Sequence, residues 1–420
     1  MTPARRAPRP TTESSALRWA RSGLMALTGP ADGPPRLPPG DPMTGIELLV
    51  SEVELAAARL GRPLRLDSRL LTERAAIIGL GRQGRIACGG GARLLETRDG
   101  WLAVNLPRET DRLTIPAWLG PGLPDDPWTA VARGVRGRSL ADLVESGRRL
   151  DLALAAVGSL PVPPEPFIFR PMGAPTPRRD EPPLVVDLSA LWAGPLCGQV
   201  LAAAGARVVK VESLGRPDPV REAAPAVFDR LNAGKDSVVL DFRDPADLAR
   251  LRGLLARADV VVTSARSRAF AQLGLGPEGV FAVNPGLVWV AVTAHGWDSN
   301  AVGFGDDVAA GAGLVAYDGA GAPLFAGDAL ADPLTGLAAA AGALRALGQG
   351  GGILVDASLA GAAAFVASFP APPAAALVHR AAAGWRVEAR DGSAPVAPPQ
   401  ARPWPGSATA FGADTSRWLA

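Results

Sequence analysis

From Pro183 onward the chain alternates short apolar runs with longer amphipathic ones. Leu184–Val186, Val208–Glu212, Ser237–Asp241, Val260–Thr263 and Leu287–Val292 are short and rich in valine, as buried strands are. Between them, a small-residue segment at about Gly198–Ala204 and an amphipathic one at Pro245–Ala258 are predicted as helices. Strands alternating with helices at this spacing predict a parallel sheet with both faces covered. In such open sheets ligands bind beyond the carboxyl ends of the strands. Three polar clusters fall at those ends: Glu212-Ser213, Ser264-Ala265-Arg266 and His295-Gly296-Trp297.

The first half is patterned differently. Residues 1–16 are basic and Pro-rich and are predicted to be disordered. Helices follow from Ala16 to about Leu60, interrupted by a Pro/Gly loop at Gly29–Pro42. The stretch GIELLVSEVELAAARLG has helical apolar spacing and stops at Gly61. Arg93–Thr97 and Trp101–Asn105 read as a hairpin around Arg98-Asp99-Gly100, and 115–155 as helices and loops. A Pro-rich stretch then marks the main boundary. The expected organisation is a disordered 1–16, a small module at 17–160, a linker at 161–183, a sheet domain at 184–370 and a tail at 371–420. One block occurs twice at an offset near 290. The copies begin at Ser22 and Ala312 and match Gly23 with Gly313, Gly45 with Gly336, and Asp67 with Asp356.

Composition narrows the function classes. Of 420 residues, 48% are hydrophobic and 20% charged, which fits a soluble globular protein. A net charge of +2 gives no reason to expect nucleic-acid or anionic-membrane binding. No run of 18 apolar residues predicts a membrane span. Two cysteines, Cys88 and Cys197, exclude a disulfide framework and a cysteine-rich zinc site, and fit a reducing cytoplasm. With two histidines, His295 and His379, no structural metal site is expected.

Five segments, in order, carry a resemblance: AGPLCGQVLAAAGARVVKVES, FDRLNAGKDSVVLDFRDP, ADVVVTSARSRAFAQLGLG, NPGLVWVAVTAHG and FGDDVAAGAGL. Together they resemble the family III CoA-transferases of the CaiB/BaiF type, the formyl-CoA and carnitine CoA-transferase group, which shares its fold with the alpha-methylacyl-CoA racemases. The resemblance implies an α/β fold: a Rossmann-like parallel sheet domain plus a smaller α+β domain, in an interlocked homodimer. The parts stand in a changed order here, with the small domain first.

What the resemblance implies about chemistry is specific. A carboxylate attacks the donor thioester, forms a mixed anhydride and then an aspartyl-CoA thioester, and an acceptor acid takes the CoA. Coenzyme A is thus a substrate, with no permanently bound cofactor, and the partners are an acyl-CoA and a carboxylic acid. Asp306 matches the catalytic position, with Asp307 as the alternative. Read without the resemblance, both are equally first-turn acids of a helix. Lys210, Arg221, Lys235, Arg266 and Arg268 are candidates for the phosphates of CoA, or solvated surface charge. Ala193-Gly194-Pro195 offers bare backbone to a ligand, or close helix–strand packing.

Other features are read more simply. Cys197 reads as a buried small apolar residue, and His295 as a strand-end polar contact. Gly79-Leu80-Gly81-Arg82-Gln83-Gly84 matches G-x-G-x-x-G, but a Gly-rich loop and a strand follow where a dinucleotide fingerprint needs a helix. Gly89-Gly90-Gly91 reads as a flexible connector. Two rivals to CoA transfer stand: an acyl-CoA racemase, whose family places a histidine where this chain has Gly305, and a non-catalytic CoA-binding or partner subunit.

Overall fold

A computed structural model describes residues 13–177, 181–371 and 376–419. Residues 1–12, most of the segment expected to be disordered, lie outside the described residues. The first helix, α1 (Ser15–Arg21), already includes the end of that segment. Helix α2 (Pro42–Arg59) begins where Asp41 accepts the Thr44 N–H and Pro42 takes the first helical position. Helix α3 (Glu73–Ile78) ends on Gly79 in the left-handed region, φ +72°. The G-x-G-x-x-G match therefore closes a helix, the reverse of a dinucleotide turn.

Next come β1 (Ala92–Glu96) and β2 (Trp101–Asn105), paired antiparallel as the predicted hairpin. Helices α4 (Glu109–Leu119), α5 (Pro127–Val135) and α6 (Leu140–Arg149) follow, then β3 (Ala153–Ala156), which adds antiparallel to β2. Strand β3 lies in a stretch whose sequence predicts helices and loops, because Ala-Leu-Ala-Ala has no strand signal of its own. Its pairing with β2 makes it a strand. Ile115, Trp118, Val131, Val135 and Leu143 of the three helices pack on Leu102, Val104 and Leu154.

The second half contributes β4 (Ile168–Pro171), β5 (Leu184–Leu188), α7 (Ala193–Ala203), β6 (Arg207–Ser213), α8 (Val220–Ala223), α9 (Pro225–Asn232) and β7 (Asp236–Leu240). Then come α10 (Pro245–Leu255), β8 (Val260–Thr263), α11 (Ser267–Gln272), α12 (Pro277–Val283), β9 (Val288–Thr293) and α13 (Gly305–Gly311). The hairpin β10 (Val315–Tyr317) and β11 (Pro323–Phe325) leads to α14 (Ala331–Gly348), β12 (Ile353–Ser358) and α15 (Leu359–Ala367). The chain closes with β13 (Leu377–Ala381), β14 (Gly384–Ala389), β15 (Gly392–Pro395) and α16 (Thr415–Leu419).

Among the described residues the main sheet has seven strands in the order β4-β12-β9-β8-β5-β6-β7. All neighbours are parallel except β4, which is antiparallel to β12. The fold is thus α/β, with a smaller α+β body at 92–156. The valine runs follow from burial on both faces. Val185, Val208, Val260 and Val288 face one core, while Val186, Val209, Val261 and Trp289 face the other.

Two boundaries differ from expectation. Residues 161–183 are not simply a linker, since β4 lies within them. Phe167 and Phe169 stack 5.3 Å apart under Arg345 and fix this edge strand, and its proline lies at an edge position where no ladder donor is lost. The division at 160 is also not a division between cores. Leu17, Trp19, Ile46, Leu49 and Val53 share one core with Leu196, Val200, Leu334 and Leu337 of the sheet domain. The tail is structured too. Strands β13–β15 form an antiparallel sheet whose Val387 and Ala394 enter the same core. Further on, the Ser237 and Val239 N–H groups of edge strand β7 donate to Asp414 and Thr415, which covers an otherwise unpaired edge.

The two matched blocks share helix lengths, although a hairpin separates α13 from α14 and none separates α1 from α2. Helices α1 and α13 each have 7 residues, and α2 and α14 each have 18. Gly23 and Gly313, matched in the sequence, both take positive φ, +82° and +87°. Helix α14 lies at the centre, against α7 on one side and α2 on another. Its Gly336 makes that approach possible: a Cβ there would stand 2.9 Å from the Ala193 carbonyl oxygen and 2.9 Å from Leu196.

Two buried ion pairs pin the carboxyl ends of β5 and β6. Lys235 donates to Asp187 (2.8 Å), the Pro195 carbonyl (2.9 Å) and Asn232 (3.0 Å), which uses all three of its protons. Lys210 donates to Asp218 (3.0 Å) and the Ser189 carbonyl (2.7 Å). Burial alone would raise the Asp187 carboxyl, but the charges of Lys235 and Lys210 hold it below its ordinary value.

Two outcomes follow from this packing. Gly336→Val should lower unfolding free energy by about 3 kcal/mol, because overpacking outweighs a helix-propensity gain of under about 1 kcal/mol. Chemical denaturation measures it. Lys235→Met should cost about 3–5 kcal/mol by stranding the buried Asp187 charge. Unchanged stability in that variant would mean the lysine is not a fold element.

Candidate active site

Two helix N-termini meet beyond the carboxyl ends of the central strands. The first is α13, with Gly305, Asp306 and Asp307 in its opening turn. The Phe304 N–H donates to Asp307 Oδ1 at 2.9 Å, and Asn105 Nδ2 of strand β2 donates to the same oxygen at 3.1 Å. Asp307 is thereby the box carboxylate of its own helix. The second is α14, with Asp332 in its first turn. The segment before it runs through Gly327 (φ +72°) and Ala329, a non-glycine residue at φ +42°.

The two starts are stitched reciprocally. The Ala329 N–H donates to Asp306 Oδ1 at 2.9 Å, and the Gly305 N–H donates to the Asp332 carboxylate. The approach is so close that a Cβ on Gly305 would lie 2.2 Å from Asp332 Oδ2 and 2.4 Å from the Ala329 carbonyl oxygen. No side chain fits at 305. Beside the stitch, Arg74 donates to Asp328 Oδ1 at 2.5 Å, and its guanidinium lies 5.6 Å from the centre of the Trp192 ring.

Access divides the carboxyls. Asp307 and Asp328 are fully buried, whereas Asp306 and Asp332 are only half-buried. Burial, with the charge of Asp328 added, pushes Asp306 up to about 7. Burial also pushes Asp332 up to about 7, against the pull of Arg74. Asp307 is likewise raised by burial to about 7, although Asn105 and the Phe304 N–H favour its charged form. Asp328 is raised by burial too, with Arg74 opposing. So many carboxyls around one guanidinium do not all ionise together. What the arrangement offers is a half-buried carboxylate at a helix start, a group of the kind that can attack a carbonyl.

The remaining candidates are placed as follows. Lys210 and Lys235 are the buried pairing groups described above. Arg221 donates to Glu212 at 2.5 Å and stacks on Phe228 at 4.1 Å. Arg266 donates to both Asp151 oxygens at 2.9 Å, with Arg268 at 3.4 Å from the same carboxylate. Ala193, Gly194 and Pro195 form the first turn of α7, all buried, and a Cβ on Gly194 would stand 2.2 Å from that of Ser189. Cys197 is fully buried, and burial raises its thiol. Burial lowers His295 to about 4, which keeps it neutral. Among the described residues no group of three or more His, Cys, Asp or Glu could hold a metal ion.

Sequence reasoning passed over Arg74, Asp328 and Asp332. A signal for the last was present: Asp41-Pro42-Met43-Thr44-Gly45 and Asp332-Pro333-Leu334-Thr335-Gly336 share D-P-x-T-G between the repeat copies. In each copy the acid stands four residues before the matched glycine. The Gly89-Gly90-Gly91 turn is also closer to the site than a connector would be. A Cβ on Gly89 would lie 3.2 Å from Arg74 Nη2, and one on Gly91 3.4 Å from Asn105 Oδ1. Both neighbours hold carboxylates of the cluster.

The chain is similar to known proteins over part of its length. It is 35% identical over 145 residues to the succinyl-CoA–D-citramalate CoA-transferase of Chloroflexus aurantiacus, covering 32% of this chain and 36% of that protein. To the alpha-methylacyl-CoA racemase of Homo sapiens it is 40% identical over 112 residues, 27% of each chain. A solved CaiB/BaiF family protein from Brucella suis is 28% identical, with a TM-score of 0.43 over 49% of this chain and 64% of that one. The chain spans about a third of the length of the curated relatives it matches. Residues 183–398, just over half of the sequence, match the model of CoA-transferase family III, and the chain belongs to that family.

Proposed function

We propose that the protein moves coenzyme A from an acyl-CoA to a carboxylic acid through a covalent aspartyl intermediate. One observation carries this: two half-buried carboxyls, Asp306 and Asp332, each accept a backbone N–H from the start of the other's helix region, in a chain of this family. A carboxylate oxygen attacks the thioester carbonyl and expels CoA as thiolate, leaving an acyl-aspartyl anhydride. The thiolate attacks the aspartyl carbonyl, releasing the donor acid and leaving an aspartyl-CoA thioester. The acceptor acid repeats the two steps in reverse, and the aspartate is regenerated. Lys210, Lys235 and Arg221 act in this reading by holding the strand ends, and Arg266 and Arg268 are the cations open enough to meet a phosphate.

The attacking group is Asp306 on the sequence match. Burial of Asp307 supports Asp306 over it, since an enclosed carboxyl cannot reach a substrate carbonyl. A second reading assigns the attack to Asp332, favoured by its place in the first turn of the 18-residue α14, where the peptide dipoles stabilise an anion. The racemase reading is disfavoured by Gly305. Its family places a histidine there, and the contacts at 2.2 and 2.4 Å leave no room for one.

Intact-mass measurement after incubation with a panel of acyl-CoAs should detect covalently held CoA that hydroxylamine releases. Asn at the attacking position should abolish that adduct and lower turnover by several orders of magnitude. Asn at the other position of the pair should leave the adduct and cost on the order of tenfold. An adduct surviving in both Asp306→Asn and Asp332→Asn would move the reactive group elsewhere. No adduct and no transfer in the wild type would favour the non-catalytic reading, and α-proton exchange with solvent deuterium would favour the racemase.

The pH dependence has a definite sign. Attack needs the ionised form, so kcat should rise with pH through about 7 and then level. Stability should run the other way. A carboxyl raised from 3.8 to about 7 on folding binds more protons folded than unfolded between those values, so its contribution is lost as pH rises across that window. Asp307→Asn keeps the oxygen that accepts from Phe304 and Asn105 but cannot ionise. Its melting temperature relative to wild type should therefore be higher at pH 8 than at pH 5. A pH-independent difference would show that Asp307 titrates normally.

A further inference from the structure

Asp151 links the two bodies of the molecule in an unusual way. It follows α6 of the small α+β body and adopts φ +58°, the left-handed region that few non-glycine residues enter. There it meets three arginines. Arg266 reaches both of its carboxylate oxygens at 2.9 Å, Arg268 lies 3.4 Å from one of them, and Arg108 donates to its backbone carbonyl at 2.8 Å. Arg266 and Arg268 stand just beyond the carboxyl end of β8, on the ligand-binding edge of the sheet. Asp151, Arg266 and Arg268 remain 49%, 34% and 50% exposed, so this ion pair is open to exchange with a dissolved anion.

We infer that Asp151 is a built-in anion occupying the phosphate position of Arg266 and Arg268, which it yields when the phosphorylated nucleotide end of CoA binds. This rests on the preceding reading, in which those two arginines face CoA. The position needs a negative charge, because two guanidinium groups so near each other repel when nothing lies between them. In the free protein the carboxylate supplies that charge. A phosphate carries more charge and more acceptor oxygens than a carboxylate, so it can displace one. The exchange has a thermodynamic consequence. Binding breaks one ion pair for each it makes, so CoA gains less affinity from these arginines than it would from free ones. It also releases fewer counterions, and the affinity varies less with salt. Asp151 thereby sets how tightly CoA is held and how readily product CoA leaves.

Asp151→Asn tests this directly, since asparagine tolerates the left-handed backbone as aspartate does and keeps nearly the same shape. Binding is measured by calorimetry for CoA, 3′-dephospho-CoA and pantetheine, each at two salt concentrations. Exposed ion pairs of this kind carry up to about 1 kcal/mol each, so CoA should bind the variant on the order of threefold to tenfold more tightly. Pantetheine, which has no phosphate, should bind both proteins alike, and the salt dependence for CoA should be steeper in the variant. Arg268→Gln, which leaves Asp151 paired with Arg266, should weaken CoA only. An Asp151→Asn protein that binds CoA no more tightly than wild type overturns the inference while leaving the CoA-transferase reading intact. So does one whose melting temperature collapses, because Asp151 would then hold the fold. A wild-type protein that binds no CoA at all removes both.

Discussion

The candidate site depends on one close approach, that of Gly305 to the turn at Ala329 and Asp332. Two helix starts normally leave their first N–H groups to water or to their own side chains. Here each supplies the acceptor the other lacks: Asp306 takes the Ala329 N–H, and Asp332 takes the Gly305 N–H. The exchange works only with bare backbone at 305. It also holds Ala329 at a φ that few L-residues adopt, a cost borne where surrounding contacts fix the conformation. The result is two partly desolvated carboxyls, each held by a backbone N–H from the other helix start. Carboxyls raised to about 7 are thus a product of the packing.

The duplication shows what distinguishes this corner from its sister. In the first copy Asp41 also heads an 18-residue helix, but it is paired to Arg18 of α1 at 2.5 Å, with Glu47 on the same guanidinium. At the offset of the repeat, the positions of Asp306 and Asp307 are filled by Ala16 and Leu17. One copy therefore neutralises its helix-start acid with an internal cation and places apolar residues around it, and serves the core. The other leaves its acids short of cations. The two blocks thus share helix lengths, while the segments between those helices and the side chains at the helix starts differ.

Much of the sheet domain was legible because both faces of each strand are buried. Valine runs of that kind have few alternatives, and Val260–Thr263 was delimited to the residue. Legibility failed where structure is decided by a distant partner. Strand β3 has alanines and a leucine, and only its pairing with β2 makes it a strand. Strand β4 lies in a Pro-rich stretch and is held by two phenylalanines and an arginine from α14. The site divides in the same way. Asp306 stands out in the sequence because it lies in a motif that resembles the family's. Arg74 and Asn105 do not, because nothing local marks a residue whose role is to meet a carboxylate more than two hundred positions away. Lys210 and Lys235 drew attention as cations near strand ends, yet their partners Asp218 and Asp187 engage them internally.

An order with the small body first is physically compatible with the site described. Contacts to the carboxylate cluster come from elements on both sides of the Pro-rich stretch. Asn105 and Arg74 lie before it, Asp306 and Asp332 after it, and Gly89–Gly91 borders the first pair. None of these contacts depends on which half is translated first. They require only that β2 and α3 lie against the starts of α13 and α14. The first repeat copy secures that placement by burying α1 and α2 in the same core as α7 and α14. Loop-closure entropy grows only logarithmically with length, so the cost of joining the halves at 161–183 is small beside the apolar surface this shared core removes from water. The position of the small body over the acids is thus set by core packing, and the connecting segment is free to be rich in proline.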